Sequence, residues 1–463
     1  MSAYGERAAP MLALPRSGEI GRVPASAILV TLGLLVSWSA TVAPEGIVQL
    51  GLLAAGGLTL LSATIRSRRA TLALLSVLLI GHVGFTTEFA KISVSAGSLP
   101  IYVTDFVLFP VLAGSILGRR WQTRASRPLL MVVAAFAGGA AVFGLAALME
   151  GADLALVLYQ ATPFVYYPLA ALALAWNVNL ATDRVLLIRV ALIACGVAVA
   201  AGLLSAAQGS FFVTEQGVPR YIRGDSGTFL AAVLVALLLS KADDSRSEIA
   251  LIGAGAVLFL GVLLSEHRSV WLAAGLAFVA GAALSRTPHV LARAAIWSGL
   301  AAIAFLTVFL FQTDLVSGTI ERFLSTADTD SVNSAWRLAA WNAALTDVAD
   351  SPFVGHGFGE PFVFYFWGHE YVGAPHNSLL NIAWYMGLPG FALFALAQVA
   401  FVARLFRDRS RLVAHGWRPA ILFAVWVSLL TVAGFNVILE SPVGAMPFWL
   451  LVGLPFASDR EHT

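Results

Sequence analysis

Three histidines, His356, His369 and His376, fall within residues 351–390, SPFVGHGFGEPFVFYFWGHEYVGAPHNSLLNIAWYMGLPG. The last of them opens directly into an apolar run through Pro375-His376-Asn377. Ionisable groups gathered at the mouth of an apolar helix are expensive to place there, and they point to chemistry at a membrane surface. An unperturbed imidazole titrates near 6.5, so each of the three can accept a proton at neutral pH. Spacing alone leaves them near-equal candidates for a base. Pro375-His376-Asn377-Ser378 also reads as a helix start, with Asn377 or Ser378 as the cap.

Two arginines stand at the ends of apolar runs, Arg223 in RYIRGDSGTF and Arg268 in LLSEHRSVWLAAG. A guanidinium stays protonated and presents a planar donor fork that fits two oxygens of a phosphate. Two such groups at headgroup depth suit the diphosphate of a lipid whose tail remains in the bilayer, and Arg220 is placed to do the same work as Arg223. The plainer readings are snorkelling to lipid phosphates and pairing with Asp225, Glu266, Glu321 or Asp330. Asp328-Thr329-Asp330 has the acidic-x-acidic form of some metal sites, but such clusters before a helix are ordinary capping chemistry. No His/Cys/Asp group has metal-ligand spacing, so neither a metal nor a cofactor is expected. The run Gly355-His356-Gly357-Phe358-Gly359 follows no strand, which argues against a phosphate loop. The aromatics Phe362, Phe364, Tyr365, Phe366 and Trp367 read as a buried or membrane-dipping segment, with stacking on sugar faces as the functional alternative.

The elements that must position these groups are helices in lipid. Apolar residues make up 59% of the 463 and charged residues 12%, about half the charged share of a soluble protein. Apolar runs of about 20 residues recur along the chain, as bilayer spans require. The fold class is all-α, a polytopic integral membrane protein with about 14 (12–14) transmembrane helices, read as one membrane domain over residues 1–463. The spans are 25–43, 47–65, 70–90, 99–117, 128–149, 155–176, 184–206, 222–240, 249–265, 269–285, 292–311, 378–403, 418–434 and 437–456. The span at 222–240 is expected to begin earlier and to carry Arg223 and Asp225 into its outer end. One long extracytoplasmic loop, 312–377, contains an amphipathic helix at 334–350. Its apolar face is Trp336, Ala340, Trp341, Ala344, Leu345 and Val348, with Arg337, Asn342 and Asp347 elsewhere.

With this parity, all but six of the 28 Lys and Arg lie on the side of the N-terminus. The six are Lys91, Arg220, Arg223, Arg268, Arg322 and Arg337. The positive-inside rule therefore puts both termini in the cytoplasm and the histidine-rich segment outside. Cys195 is the one cysteine, so no intramolecular disulfide forms and the redox compartment is not readable. No nucleic-acid partner is expected.

An ordered set of residues resembles the bacterial O-antigen ligase and surface-polysaccharide polymerase superfamily. It comprises Arg223-Gly224 before a span, the break at residues 265–268, Arg337 with Trp341, Pro352 with Gly355, Gly357 and Gly359, and His376-Asn377 entering a span with Gly387 and Gly390. The likeness covers a core of about residues 208–403. It implies inverting, metal-independent transfer of an undecaprenyl-diphosphate-linked glycan to an acceptor hydroxyl at the outer face of the bacterial inner membrane. Arg223 and Arg268 would bind the diphosphate, His376 would be the base, Asn377 would position it, and Arg337 would support the loop or touch the glycan. The implied partners are the lipid-linked donor, a glycan or lipid-core acceptor, membrane lipids and polysaccharide export machinery. The family's glycine run usually lacks a histidine, so His356 inherits no role. The alternative class is a flippase or exporter of lipid-linked sugars. That class places its functional charges near the bilayer midplane, whereas here they collect at span ends.

Overall fold

The computed structural model describes residues 46–96, 99–118, 120, 126–208, 212–213, 219–242, 244–265, 267–285 and 332–459. The expected spans at 25–43 and 292–311, and Asp328-Thr329-Asp330, lie outside them. A backbone in lipid must satisfy its polar groups internally, and helices do so within one segment. Apolar sequence therefore folds here as α1 (Gly46–Arg66), α2 (Arg68–Ala90), α3 (Val103–Leu117), α4 (Arg127–Met149), α5 (Leu154–Val165), α6 (Leu169–Asn177) and α7 (Arg184–Ala207). There follow α8 (Gly224–Leu239), α9 (Ser245–Leu264), α10 (Arg268–Ser285), α11 (Val332–Asp350), α12 (Ser378–Arg407), α13 (Arg409–Ala414), α14 (Pro419–Ala433) and α15 (Pro442–Gly453). Among the described residues, seven helical stretches are long and apolar enough to cross a membrane, and four more are apolar but shorter. The protein is a multi-pass membrane protein.

Several expected spans are interrupted. The span expected over 99–117 starts as strand β2 (Leu99–Tyr102), paired with β1 (Ser93–Ala96), and turns helical only at Val103. The span over 155–176 is two helices, α5 and α6, broken at residues 166–168. Helix α8 begins at Gly224 with Arg223 as its extended N-cap, so the arginine ends the helix and is not carried inside it. The expected span 437–456 is helical only from Pro442, which leaves residues 437–441 as a turn. Small two-stranded ribbons accompany the helices, the second being β3 (Phe212–Val213) with β4 (Pro219–Arg220) beyond α7.

One end of the bundle gathers Arg68 of α2, Arg120 just beyond α3, Arg404 of α12 and Arg411 of α13. Arg68 pairs with Asp183 at 2.6 Å, and Arg120 donates to the Asn177 side chain at 2.8 Å. Arg411 pairs with Asp459 at 2.6 Å, and Arg404 with Asp408 at 2.8 Å. The Leu180 N–H donates to the Ser458 carbonyl at 3.0 Å, which joins the two groups. Cys195 is buried within α7.

At the other end the loop after α11 docks into a break in α12. Gly387 has φ +62, ψ −172 inside that helix, a backbone that essentially only glycine adopts. The break leaves carbonyls without helical partners. The His356 N–H donates to the Trp384 carbonyl at 2.7 Å and the Gly357 N–H to that of Tyr385 at 3.1 Å, while the Leu388 N–H donates to Pro352 at 2.7 Å. A Cβ on Gly355 would lie 2.6 Å from the Gly387 nitrogen, so backbone meets backbone here. The glycine run is thus a docking element. Its far end is held by Gln160 of α5, buried within the bundle, which accepts from the Gly359 N–H at 2.6 Å and donates to the Glu360 carbonyl at 2.8 Å. Gln160→Ala should leave both backbone groups without partners and destabilise the protein by about 1–3 kcal/mol. A lower thermal midpoint in detergent would register this, and an unchanged midpoint would contradict it.

Beyond the loop, β5 (Phe362–Phe366) and β6 (His369–Gly373) form a hairpin closed by Trp367 and Gly368, both with positive φ, as a two-residue turn requires. Strand alternation buries Phe362, Phe364 and Phe366 and exposes Tyr365. The aromatic run is therefore the inner face of a hairpin, with Tyr365 and Trp367 left outside. Helix α11 packs against this strand and α12. Its buried residues are Ala340, Ala344 and Val348, while Leu345, expected on that face, is exposed. Asp347, expected elsewhere, accepts from the Trp384 indole at 2.9 Å.

Candidate active site

His376 sits between β6 and α12 with φ +50, a left-handed conformation that is rare for a residue other than glycine. Asn377 follows as the N-cap, its side-chain oxygen accepting from Leu379 N–H at 3.0 Å and Leu380 N–H at 3.1 Å. Its side-chain carbonyl is thus committed to the helix. The His376 ring meets Trp336 of α11 edge-on, centroids 5.0 Å apart. Burial, and then the nearby Arg337 guanidinium, push its pKa down to about 4. At neutral pH this imidazole is uncharged and able to accept a proton.

The other two histidines sit differently. The His356 ring stacks flat on Trp384, 5.2 Å away at 1°, and its backbone belongs to the docked loop. His369 lies on the exposed strand β6. Of the three, only His376 stands at the mouth of a helix beside an arginine.

The arginines reach the same end of the bundle through their neighbours. A Cβ on Gly224, beside Arg223, would lie 2.3 Å from the His267 ring, so that ring lies against the start of α8. His267 Nδ1 is 2.9 Å from the Ser269 hydroxyl, which accepts from the Asn436 side-chain amide at 2.7 Å. The Asn436 carbonyl in turn accepts from the Ser378 N–H at 3.2 Å. One polar chain therefore joins the segments holding Arg268 and His376, and the His267 ring brings the start of α8, beside Arg223, against it. Arg337 joins by its electrostatic effect on His376. Arg220 lies in β4, and its side chain is outside the described residues.

Sequence reasoning missed Glu440 and Asn436. The Glu440 carboxylate accepts from Ser378 Oγ at 2.6 Å and from the Asn381 amide at 2.8 Å. Burial raises its pKa to about 7 against the opposing effect of these hydrogen bonds. The signal was present: Glu440 is the only acidic residue between Asp408 and Asp459, in otherwise apolar sequence. A cavity of about 860 Å³ among α1, α3, α4 and α5 has only Asp105, Thr162 and Tyr166 as polar side chains in its lining. Such a wall suits hydrocarbon.

An arginine-flanked, uncharged histidine at the mouth of a helix is the arrangement on which a comparison with known families bears. The sequence model for O-antigen ligase matches residues 253–395. This stretch of the chain is similar to the O-antigen ligase family. Arg268, Arg337, His376 and Asn377 fall inside this ligase segment, whereas Arg220, Arg223, Asn436 and Glu440 fall outside it. No curated protein matches the chain. The ligase segment runs from α9 into α12 and so takes in the docked glycine run and the break at Gly387.

Proposed function

We propose that this protein transfers a glycan from an isoprenoid diphosphate carrier to an acceptor sugar hydroxyl at the outer face of the bacterial inner membrane, as an O-antigen ligase or a surface-polysaccharide polymerase. The observation that supports the reading is the polar chain from His267 through Ser269 and Asn436 to Ser378, which runs between the neighbours of Arg268 and of His376, with the His267 ring against Gly224 beside Arg223. The match to the O-antigen ligase family over residues 253–395 supports it.

In the proposed step an acceptor oxygen forms a bond to the anomeric carbon as the bond from that carbon to the diphosphate oxygen breaks. The electron pair leaves with the diphosphate and the acceptor proton passes to the His376 imidazole. A diphosphate is already a good leaving group, so charge stabilisation and alignment do most of the catalytic work. A ring with its pKa held near 4 is a weak base. It takes the proton late, once the attacking hydroxyl has become acidic through bond formation. Arg223 and Arg268 hold the developing charge on the diphosphate, and Arg337 keeps the imidazole neutral before transfer.

Arg268→Ala should lower transfer by about 100- to 1,000-fold, the usual effect of losing one charge-stabilising donor. Lysine there should restore little, because it lacks the two-oxygen fork. Full surface glycan in the alanine variant would remove Arg268 from the site. Ligase and polymerase separate in a deletion strain by the glycan left on the carrier. Single repeat units accumulate without a polymerase, and long chains without a ligase.

A further inference from the structure

We propose that Glu440 is a positioning residue of the transfer site, fastening the His376 turn to the α14–α15 connection and, through Asn436, to the helix that begins at Arg268. The proposal rests on the reading of His376 as the base. It draws on contacts that the ligase segment does not contain, since residues 436–441 lie beyond it.

The His376 backbone at φ +50 costs about 1–3 kcal/mol and persists only where its surroundings enforce it. Two residues later Ser378 is held on every polar atom. Its N–H donates to the Asn436 carbonyl at 3.2 Å, and its hydroxyl oxygen accepts from the Leu439 N–H at 3.1 Å. Its single hydroxyl hydrogen has two acceptors in reach, Glu440 Oε2 at 2.6 Å and the Asn436 carbonyl at 3.1 Å. An ionised carboxylate takes that hydrogen in a short, charge-assisted bond, roughly twice as strong as a neutral one. Its second oxygen holds Asn381 one turn further along α12 at 2.8 Å. A protonated Glu440 instead places its own hydrogen in the 2.6 Å contact, and Ser378 turns to Asn436. Both arrangements keep the fold, but the ionised one grips the first turn of α12 more firmly.

The same connection reaches the arginine side, because the Asn436 amide donates to Ser269, next to Arg268, at 2.7 Å. Tyr385 on α12 feels the Glu440 charge, and the polar chain through Asn436 and Ser269 leads on to His267 and Arg268 at the start of α10. Helices α14 and α15 contribute no ionisable group. Burial lifts the Glu440 pKa to about 7, so its ionisation changes within the working range.

The test expresses full-length Glu440→Gln, Glu440→Asp and His376→Ala in a deletion strain. Initial transfer rates are then measured from about pH 4 to 9 in permeabilised membranes, which supply the accumulated donor and the acceptor. Wild type should lose rate on acidification with an inflection near 7, set by Glu440, well above the value of about 4 at which His376 titrates. Glu440→Gln, nearly the same shape, should be about 10- to 100-fold slower near pH 8, as expected for a misaligned reacting group. It should keep the KM for donor and lose the inflection near 7, leaving only the acid loss of His376. Glu440→Asp should recover part of the rate and the inflection. A glutamine variant with wild-type rate and inflection overturns the proposal, as does an aspartate variant no better than glutamine. If His376→Ala keeps full transfer, the base reading itself fails. If His376→Ala is inactive while Glu440→Gln behaves as wild type, only the positioning role of Glu440 falls.

Discussion

His376→Ala should reduce glycan transfer by about 100- to 10,000-fold, the range for loss of a general base, with the protein still inserted and the lipid-linked donor accumulating. The ring is braced by Trp336 and held neutral by burial and Arg337, so it is ready to take a proton at neutral pH. Of the other histidines in residues 351–390, His356 lies flat on Trp384, and His369 is on the exposed strand. Normal surface glycan in this variant would dispose of the base. The substitution also has a consequence for stability. The folded pKa of about 4 lies below the unfolded value of 6.5. The neutral ring thus contributes stability that is fully present above pH 6.5 and lost as pH falls through about 4. The alanine variant should accordingly lose less thermal stability than wild type over that window. Melting curves in detergent at several pH values measure the difference.

Gly387→Ala should be the most damaging change to the fold. A Cβ there would lie 2.7 Å from the Pro352 carbonyl and 2.8 Å from the Phe353 carbonyl carbon. It would also force alanine into a backbone at φ +62, ψ −172. The conformation costs about 1–3 kcal/mol and the overlap a similar amount. The sum is a large part of the 5–15 kcal/mol that typically separates folded from unfolded protein. The neighbouring atoms are backbone and cannot swing aside. The expected result is a sharp fall in folded protein by size-exclusion chromatography, with no transfer activity in what remains. A variant that is monodisperse and fully active would show that the loop does not need its seat in α12. Gly355→Ala should behave alike, because its Cβ would lie 2.6 Å from both the Gly387 nitrogen and the Trp384 carbonyl oxygen.

Much of the helical layout was legible because lipid imposes a simple rule on sequence, and runs such as 128–149 and 184–206 emerge as α4 and α7 within a residue or two. The breaks were not legible. A hydropathy window averages over single residues, so Gly387, the turn at 166–168 and the strand at 99–102 vanish into their apolar surroundings. The face of α11 was misjudged for a related reason. Helical spacing groups Leu345 with Ala344, but the helix packs on α12 and the hairpin, which call Asp347 inward to Trp384. His376, Asn377 and Arg268 were readable because each stands beside an apolar run. Glu440 was absorbed into the span 437–456, and only tertiary structure, by bringing Ser378 and Asn381 against it, shows its carboxylate in use.

Cys195, the lone sulfhydryl of the chain, is enclosed within α7. A maleimide added from either face should find nothing to modify in the native protein, giving a silent background. Single cysteines introduced one at a time into the β5–β6 hairpin and into the arginine-rich end can then be scored for sidedness without first engineering a cysteine-less parent.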